Sequence, residues 1–313
     1  MFLLPGSFGA LSPTGAKVPI DPRRLLALAV ALTAFNASGA QDAASFPAGF
    51  IENRGQVNEV VLYYAAGPGA TIYFTRDALV FDLRGPMTGG EWAPPQSSSA
   101  RRGCAVWARF EGAWVSPRVE ARGELPGRHS FFLGSDPTRW RTDVPSYQEL
   151  VYHDVRPGVD LVFRNRDGEL AYATAGAYGG ASPAFAFRFE GADDVTRHGA
   201  TSVRVETPAG RLLESRTSNG QGSFLLEKPL TGGARSEARD DPSALLWSTL
   251  LGESSGALAL ARDPSGDVVL GGVTGSPSFP TTPGSYDPSF NGGECDVFVA
   301  RLSSTGSTLL WST

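Results

Sequence analysis

The chain has 313 residues, enough for one large domain or two ordinary ones, and its formal net charge is -5. Its 38 glycines and 23 prolines, together with a charged fraction of only 19%, favour many short strands over long helices. Lysines and arginines form no group larger than a pair, which excludes the basic surface of a nucleic-acid-binding protein.

The first predicted element is an export signal. Arg23 and Arg24 precede the apolar run LLALAVALTAF, and small residues follow at Ser38 and Ala40. A basic start, a short apolar core and a small-residue exit are typical of a secretory signal peptide. We therefore assign residues 1–40 to a signal peptide cleaved after Ala40; a buried helix is the alternative, because a long, proline-containing stretch precedes Arg23. The mature chain is then expected to be secreted or at the cell surface, without a transmembrane segment, since no later stretch approaches the roughly 18 apolar residues that one needs.

From Phe46 onward, apolar residues recur with the two-residue period of half-buried strands. Strands are predicted over residues 60–66, 70–83, 104–113, 159–174 and 184–192. Within the fourth segment, Asp167 and Gly168 separate two alternating runs and predict a hairpin. Residues 87–103 are rich in Gly, Pro and Ser and predict an exposed loop. We interpret residues 46–230 as a β-rich, β-sandwich-like N-terminal domain.

A change in composition marks the next region. Residues 231–244 are polar and aperiodic and predict a linker. The pentapeptide LLWST then occurs at residues 245–249 and again at 309–313, and four short apolar segments follow its first copy: ALALAR, DVVLGGVT, CDVFVARLS and STLLWST. Four strands form one blade of a β-propeller, and a closed propeller needs about four to eight blades. We therefore expect an all-β protein in which residues 245–313 are about one blade of an incomplete β-propeller.

The repeat region also resembles a known family. FPTTPG at residues 279–284, DVFVA at 296–300 and WST at 311–313 match the pattern of the SBBP-type β-propeller repeat. Arg301 stands for the usual Lys of that pattern, and Trp311 stands for the usual Tyr. The resemblance implies a propeller fold.

Four upstream segments resemble the uncharacterised β-rich domain that commonly precedes such repeats in exported bacterial proteins. They are FIENRGQV (50–57), GPGATIYFT (67–75), the stretch from FFLGSDP to VDLVF (131–163) and FRFEGAD (187–193). One departure is that the passage between Leu213 and Leu245 is short and polar, where the family has a longer passage ending in a strand. The resemblance implies a fold and an exported location rather than a reaction.

Cys104 and Cys295 are the only cysteines, and they form neither a disulfide framework nor a zinc-binding spacing. We expect two unpaired, buried thiols. A single bridge is the alternative, because an oxidising compartment would permit it.

Ser254 lies in GESSG, which has the outline of a nucleophile elbow. In α/β-hydrolases the acid and the histidine follow the serine. His129, His153 and His198 all precede it, so we interpret the stretch as a turn.

Two further motifs have structural interpretations. DPSGD at residues 263–267 alternates oxygen-bearing side chains but lacks the glutamate of a calcium loop, so we predict a β-turn. In YHD at residues 152–154, neighbouring side chains on a strand would point to opposite faces, so we predict a structural histidine.

The candidate ligand-binding residues are Arg139, Trp140, Arg141 and Tyr147, within a polar and aromatic segment at residues 135–148. An aromatic face and a forked guanidinium suit sugars and carboxylates. The same side chains could instead tie a long loop to its own domain, which we favour. Glu52, Asn53 and Arg54 are likewise predicted to form an internal hydrogen-bonded brace.

No catalytic residue, cofactor site or metal site is predicted. We expect a non-enzymatic surface or extracellular scaffold whose propeller loops bind a protein or polysaccharide of the envelope or matrix. The alternative is a secreted carbohydrate hydrolase or lyase with acidic residues at the propeller axis, because carboxylate pairs are defined by distances that a sequence does not reveal.

Overall fold

The computed structural model describes residues 10–11, 17–18, 49–67, 70–84, 103–112, 117–166, 169–176, 185–217, 220–227 and 245–313. The segments Met1–Gly39 and Ala40–Thr313 are separate compact units. In the first, strands β1 (Ala10–Leu11) and β2 (Lys17–Val18) pair antiparallel. The apolar run of the predicted signal peptide, the predicted linker, loop residues 87–102 and the hairpin tip Asp167–Gly168 lie outside the described residues.

The second unit is all-β, and most of its strands form one large, nearly closed sheet. In chain order these strands are β3 (Phe50–Glu52), β4 (Tyr63–Ala66), β5 (Ala70–Phe74), β6 (Ala78–Arg84), β7 (Gly103–Phe110), β8 (Arg118–Phe132), β9 (Arg141–Arg156), β10 (Val159–Arg166), β11 (Glu169–Gly176), β12 (Phe187–Glu190), β13 (Asp194–His198), β14 (Ser202–Thr207), β15 (Gly210–Arg216), β16 (Gln221–Glu227) and β17 (Trp247–Leu251). A short 3-10 turn, Pro137–Arg139, separates β8 from β9.

The order of the strands explains how the sheet folds onto itself. Along its main path the order is β12-β7-β6-β5-β4-β3-β9-β10-β11-β16-β15-β14-β13, and β8 pairs with β9 and with β17. The sequence predicts a β-sandwich-like domain, whereas hydrogen bonds through β9 join both halves into one continuous sheet. The two end strands of the path, β12 and β13, follow each other directly in the chain.

Two hairpins show how local sequence sets the strand ends. β10 and β11 pair from Arg166 opposite Glu169, which confirms the predicted hairpin. The single strand predicted over residues 70–83 is instead the hairpin β5–β6. Its turn closes because the backbone N–H of Thr75 donates to the Ala78 carbonyl and the Thr75 hydroxyl bonds to Asp77.

The main core lies between the two halves of the large sheet. Phe74 meets Phe163 with ring centroids 5.6 Å apart, and Phe81 meets Phe224 at 5.2 Å. All four side chains are fully buried, and each such burial stabilises the fold by about 1.5–3 kcal/mol. The strands before β8 and those after β9 therefore share one hydrophobic core.

A buried ion pair lies within this core. Glu214 and Arg216 are 3.0 Å apart, and the Tyr172 hydroxyl donates a hydrogen bond to Glu214. Burial, and then the nearby Glu214 charge, raise the pKa of Tyr172. The carboxylate is therefore held by a cation and a neutral phenol.

A separate four-stranded sheet follows, with strands β18 (Ser255–Arg262), β19 (Val268–Thr274), β20 (Asp296–Leu302) and β21 (Leu309–Ser312). Each strand pairs antiparallel with the next one along the chain. These strands coincide with the four apolar segments predicted from the sequence. The first LLWST copy does not join them, because β17 pairs parallel with β8 in the large sheet.

Cys104 and Cys295 are both free and half-buried. The expectation of unpaired thiols is therefore confirmed, but the expectation that they are fully buried is wrong.

Candidate functional site

Trp140 and Arg141 of the predicted ligand-binding set tie their loop to the domain. The Trp140 indole N–H donates to the Gly134 carbonyl at 2.9 Å, and its ring packs edge-on against Phe132 at 5.3 Å. The Arg141 guanidinium donates to the carbonyls of Arg54, Thr138 and Trp140 itself. Trp140 and Arg141 thus tie the loop to its own domain, which is the interpretation that we favoured from the sequence.

The other two members of the set, Arg139 and Tyr147, make different contacts. Arg139 is exposed at the end of the 3-10 turn. Tyr147 is half-buried in β9 and packs edge-on against Tyr63 at 6.0 Å. Burial, followed by the charge of Glu52, raises the pKa of Tyr147. The structure therefore places Trp140 and Arg141 in contacts that hold the loop, Arg139 in solvent, and Tyr147 against Tyr63.

The predicted brace around Asn53 is confirmed. Its amide donates to the Asn58 carbonyl at 2.9 Å and to the Val61 carbonyl at 2.8 Å, and its oxygen accepts from the Gly55 N–H. Beside this brace is an open cleft of about 560 Å³. The lining includes Glu52, Asn53, Tyr63, Arg76 and Val119. Because Asn53 and Glu52 already bond within the loop, they are committed to holding its shape.

His153 lies between two carboxylates that the sequence did not associate with it. It is 3.0 Å from Asp160 and 2.7 Å from Glu120. Hydrogen bonds, first from Arg122 and then from His153, lower the pKa of Glu120 to about 2. The partners of His153 come from β8 and β10 rather than from the neighbouring Asp154, and the structural interpretation of this histidine stays a prediction.

A second histidine, His129, joins three strands through contacts that the sequence did not predict. His129 in β8 is only 8% exposed, with Nδ1 2.7 Å from the Ser248 hydroxyl in β17 and Nε2 3.1 Å from the Ser146 hydroxyl in β9. Burial, and then the charge of Arg128, lower its pKa to about 4, so the ring is neutral at pH 7. Both ring nitrogens are taken up by hydroxyls rather than by a carboxylate that would orient a catalytic base. This arrangement therefore fastens β17 to the large sheet.

The second LLWST copy makes different contacts from the first. The Ser312 hydroxyl donates to the Pro280 carbonyl at 2.6 Å, and Thr282 and Ser312 exchange further hydrogen bonds. The Thr313 hydroxyl accepts from the Asp287 N–H and donates to the Asp287 carbonyl. The second copy thereby braces the long loop between β19 and β20.

The two rejected motifs are turns in the structure. The Gly266 N–H donates to the Asp263 carbonyl, which is the hydrogen bond of a β-turn. Arg301 lies 2.6 Å from Asp263 and 2.8 Å from Asp267, so both carboxylates pair with the same cation. Ser254 has a positive φ of 51° in the turn from β17 to β18. A strand follows Ser254, where a nucleophile elbow would need a helix.

Two exposed features of the four-stranded sheet could contact another molecule. Tyr286 is 72% exposed on the loop that the second LLWST copy braces. Val297, Val299 and Trp311 lie on the sheet face opposite the buried Phe298. Val297 is 78% exposed and Trp311 40%. Large exposed apolar side chains gathered on one face are typical of an interaction surface.

Two further searches of the described residues give negative results. No group of three or more His, Cys, Asp or Glu side chains in the described ranges is arranged to hold a metal ion. No helix within the part of the chain that the structure describes is long and apolar enough to cross a membrane.

The comparisons with known proteins concern the large sheet. No curated protein and no solved structure is detectably similar to the chain. The sequence profile of one family, described as "Domain of unknown function (DUF7948)", matches residues 50–218, from β3 to just beyond β15. Because this match covers more than half of the 313 residues, the chain belongs to the DUF7948 family.

Proposed function

We propose that this protein is an exported, non-enzymatic scaffold whose four-stranded sheet is one blade of a β-propeller. The observation that carries the proposal is that both faces of the β18–β21 sheet are apolar. Phe298 and Ala300 are buried on one face, and Val297 and Trp311 are exposed on the other. A repeat unit cannot bury two apolar faces alone, and in a propeller the neighbouring blade covers the second face.

The partner-binding element of this scaffold is the loop between β19 and β20. Tyr286 projects from it, and the loop is held in shape by Ser312 and Thr313 of the second LLWST copy. A rigid loop loses little conformational entropy when it binds, and a tyrosine supplies a large contact area with a polar end. The partner is a protein or polysaccharide of the envelope or matrix.

The alternative, a carbohydrate hydrolase or lyase, needs a carboxylic acid kept protonated by a raised pKa. Asp263 and Asp287 have lowered pKa values. The first cause for Asp263 is the hydrogen bond from Ser265, and that for Asp287 is the hydrogen bond from Asn291. Neither Asp263 nor Asp287 is therefore the protonated acid that this alternative would need.

Binding is tested with the full chain applied to a glycan array and to envelope proteins of the source cell. Tyr286→Ala should weaken the captured interaction at least about tenfold, the effect of removing about 1.4 kcal/mol from an exposed aromatic anchor. Val60→Ala is the control. Val60 is also exposed, but it lies just before β4 of the large sheet rather than on the loop between β19 and β20. The proposal fails if the chain binds nothing, or if both variants weaken binding equally.

Export is tested by the intact mass of the protein recovered outside the cell. Cleavage after Ala40 gives a chain that begins at Gln41. Recovery of the protein only inside the cell, with Met1 retained, would contradict export.

A further inference from the structure

We propose that the DUF7948 domain is the cap of the repeat: it covers one face of the β18–β21 sheet and keeps that sheet folded, with β17 as the joint. This inference goes beyond the proposed function and does not depend on which partner the scaffold binds. Repeat arrays need terminal units that cover an otherwise exposed apolar face. Here the cover is a different fold rather than another repeat.

The first observation is a shared core. Within the described ranges, the hydrophobic cluster of the four-stranded sheet contains nine buried residues, and two of them, Phe132 of β8 and Leu251 of β17, come from the large sheet. Trp140 and Trp247 pack against the same cluster from that side. The large sheet therefore supplies aromatic and aliphatic cover to the face that carries Leu270.

The second observation is the close fit of the joint. A Cβ atom built at Gly306, in the turn between β20 and β21, would overlap the Trp247 ring. The Thr249 hydroxyl donates to the Gly306 carbonyl at 2.7 Å. The ring of Trp247 thus lies directly on a turn where only a glycine leaves room for it.

The third observation is how firmly β17 is held on the cap side. It pairs along its whole length with residues 128–132 of β8, and the Arg128 N–H donates to the Leu246 carbonyl just before it. His129 bonds to Ser248, and the Gly252 N–H donates to the Phe132 carbonyl at 2.8 Å. The joint is therefore fixed at its start, in its middle and at its end.

The sizes of the two hydrophobic cores indicate which sheet depends on the other for its stability. Among the described residues, the large sheet has its own cluster of 27 buried residues, none of which comes from β18–β21. The four-stranded sheet is a single layer whose cluster is incomplete without Phe132 and Leu251. A single sheet needs a second layer to bury its apolar face. The repeat therefore requires the cap, whereas the cap does not require the repeat.

Hydrogen exchange of the full chain, read by mass spectrometry, tests this direction. Phe132→Ala should speed amide exchange in β18–β21 by about a hundredfold or more, since a large buried side chain is removed from their core. Exchange in β10–β16 should stay within about threefold of the original. Unchanged exchange in β18–β21 would overturn the proposal.

The reverse variant is Phe298→Ala, which removes a buried side chain from the repeat itself. It should speed exchange in β18–β21 while β8 and β10–β16 keep their protection. If β10–β16 lose protection to the same extent, the two sheets form one cooperative unit and the cap is overturned.

A second pair of variants tests the joint. Gly306→Val adds a side chain against Trp247 at a φ of +66°, and Gly284→Val adds one at a φ of +80° where no atom lies within 4 Å. Both substitutions place a valine at a positive φ, but only the first adds atoms against Trp247, so only the first should release β17 and raise the exchange rate of β8 at residues 128–132. Equal effects on β8 from both variants, or no effect of Gly306→Val, would overturn the role of the joint.

Discussion

Acidification should destabilise the folded chain through His129. In the folded protein its pKa is lowered to about 4 from an ordinary value of 6.5, chiefly because the ring is buried. The unfolded chain therefore binds a proton at a higher pH than the folded chain does. The contribution of His129 to stability is complete above pH 6.5 and is lost as the pH falls toward 4.

The magnitude follows from the size of the shift. One pKa unit corresponds to about 1.4 kcal/mol, so the shift from 6.5 to about 4 gives a full loss of about 3.5 kcal/mol, most of it between pH 6.5 and 4. Carboxylates with lowered pKa values, such as Glu120, are half protonated at pH 4.5 in the unfolded chain, so most of their own loss falls below about pH 5. Between pH 6.5 and 5, the change in the free energy of unfolding therefore comes mainly from histidine protonation.

The assay is urea denaturation at several pH values from 7.5 to 4.5, followed by circular dichroism. His129→Asn should remove the slope between pH 6.5 and 5, because an amide can bond to both serines but does not titrate. His198→Asn is the matched control, since His198 is exposed, and it should retain the original slope. Equal slopes for the original chain and His129→Asn would refute the reasoning.

Three further predictions concern other parts of the chain. Glu214→Leu leaves Arg216, whose side chain is only 11% exposed, without its counter-ion and should lower the free energy of unfolding in urea by about 3–5 kcal/mol; a loss below about 1 kcal/mol would contradict this. Arg141→Ala removes the donor to the Arg54 carbonyl and should speed amide exchange over residues 54–60, while Arg139→Ala, at an exposed position, should not. Both cysteines should take up a thiol reagent in unfolded protein without reductant, giving the mass of two labels; an unlabelled chain would show that they are bridged.

Local patterns were enough to predict most of the strands. The alternation of apolar residues predicted the four strands of the second sheet, and Asp167–Gly168 predicted the hairpin of β10 and β11. The brace around Asn53 was also visible, because its partners lie within eight residues along the chain. Each of these depends on neighbours in sequence, so a short window of residues contains the necessary information.

The contacts of the predicted ligand-binding set were only partly foreseeable. A loop rich in Arg and Trp could either bind a ligand or tie itself down, and the composition is the same in both cases. The deciding facts are distances, such as that from the Arg141 guanidinium to the Arg54 carbonyl, 87 residues earlier. Those distances exist only once β3 and β9 have paired.

By itself, the sequence determined that the chain forms strands with alternating apolar residues and that the pentapeptide LLWST occurs twice. Only the tertiary structure decided that the first copy joins the large sheet through His129 and that the second copy braces the loop of Tyr286. The pentapeptide is the same in both places, so its local propensity is the same. What differs is the partner presented by distant segments: Ser248 meets a histidine 119 residues away, and Ser312 meets a carbonyl 32 residues away. Such pairings follow from strand register and layer packing, which are properties of the whole fold.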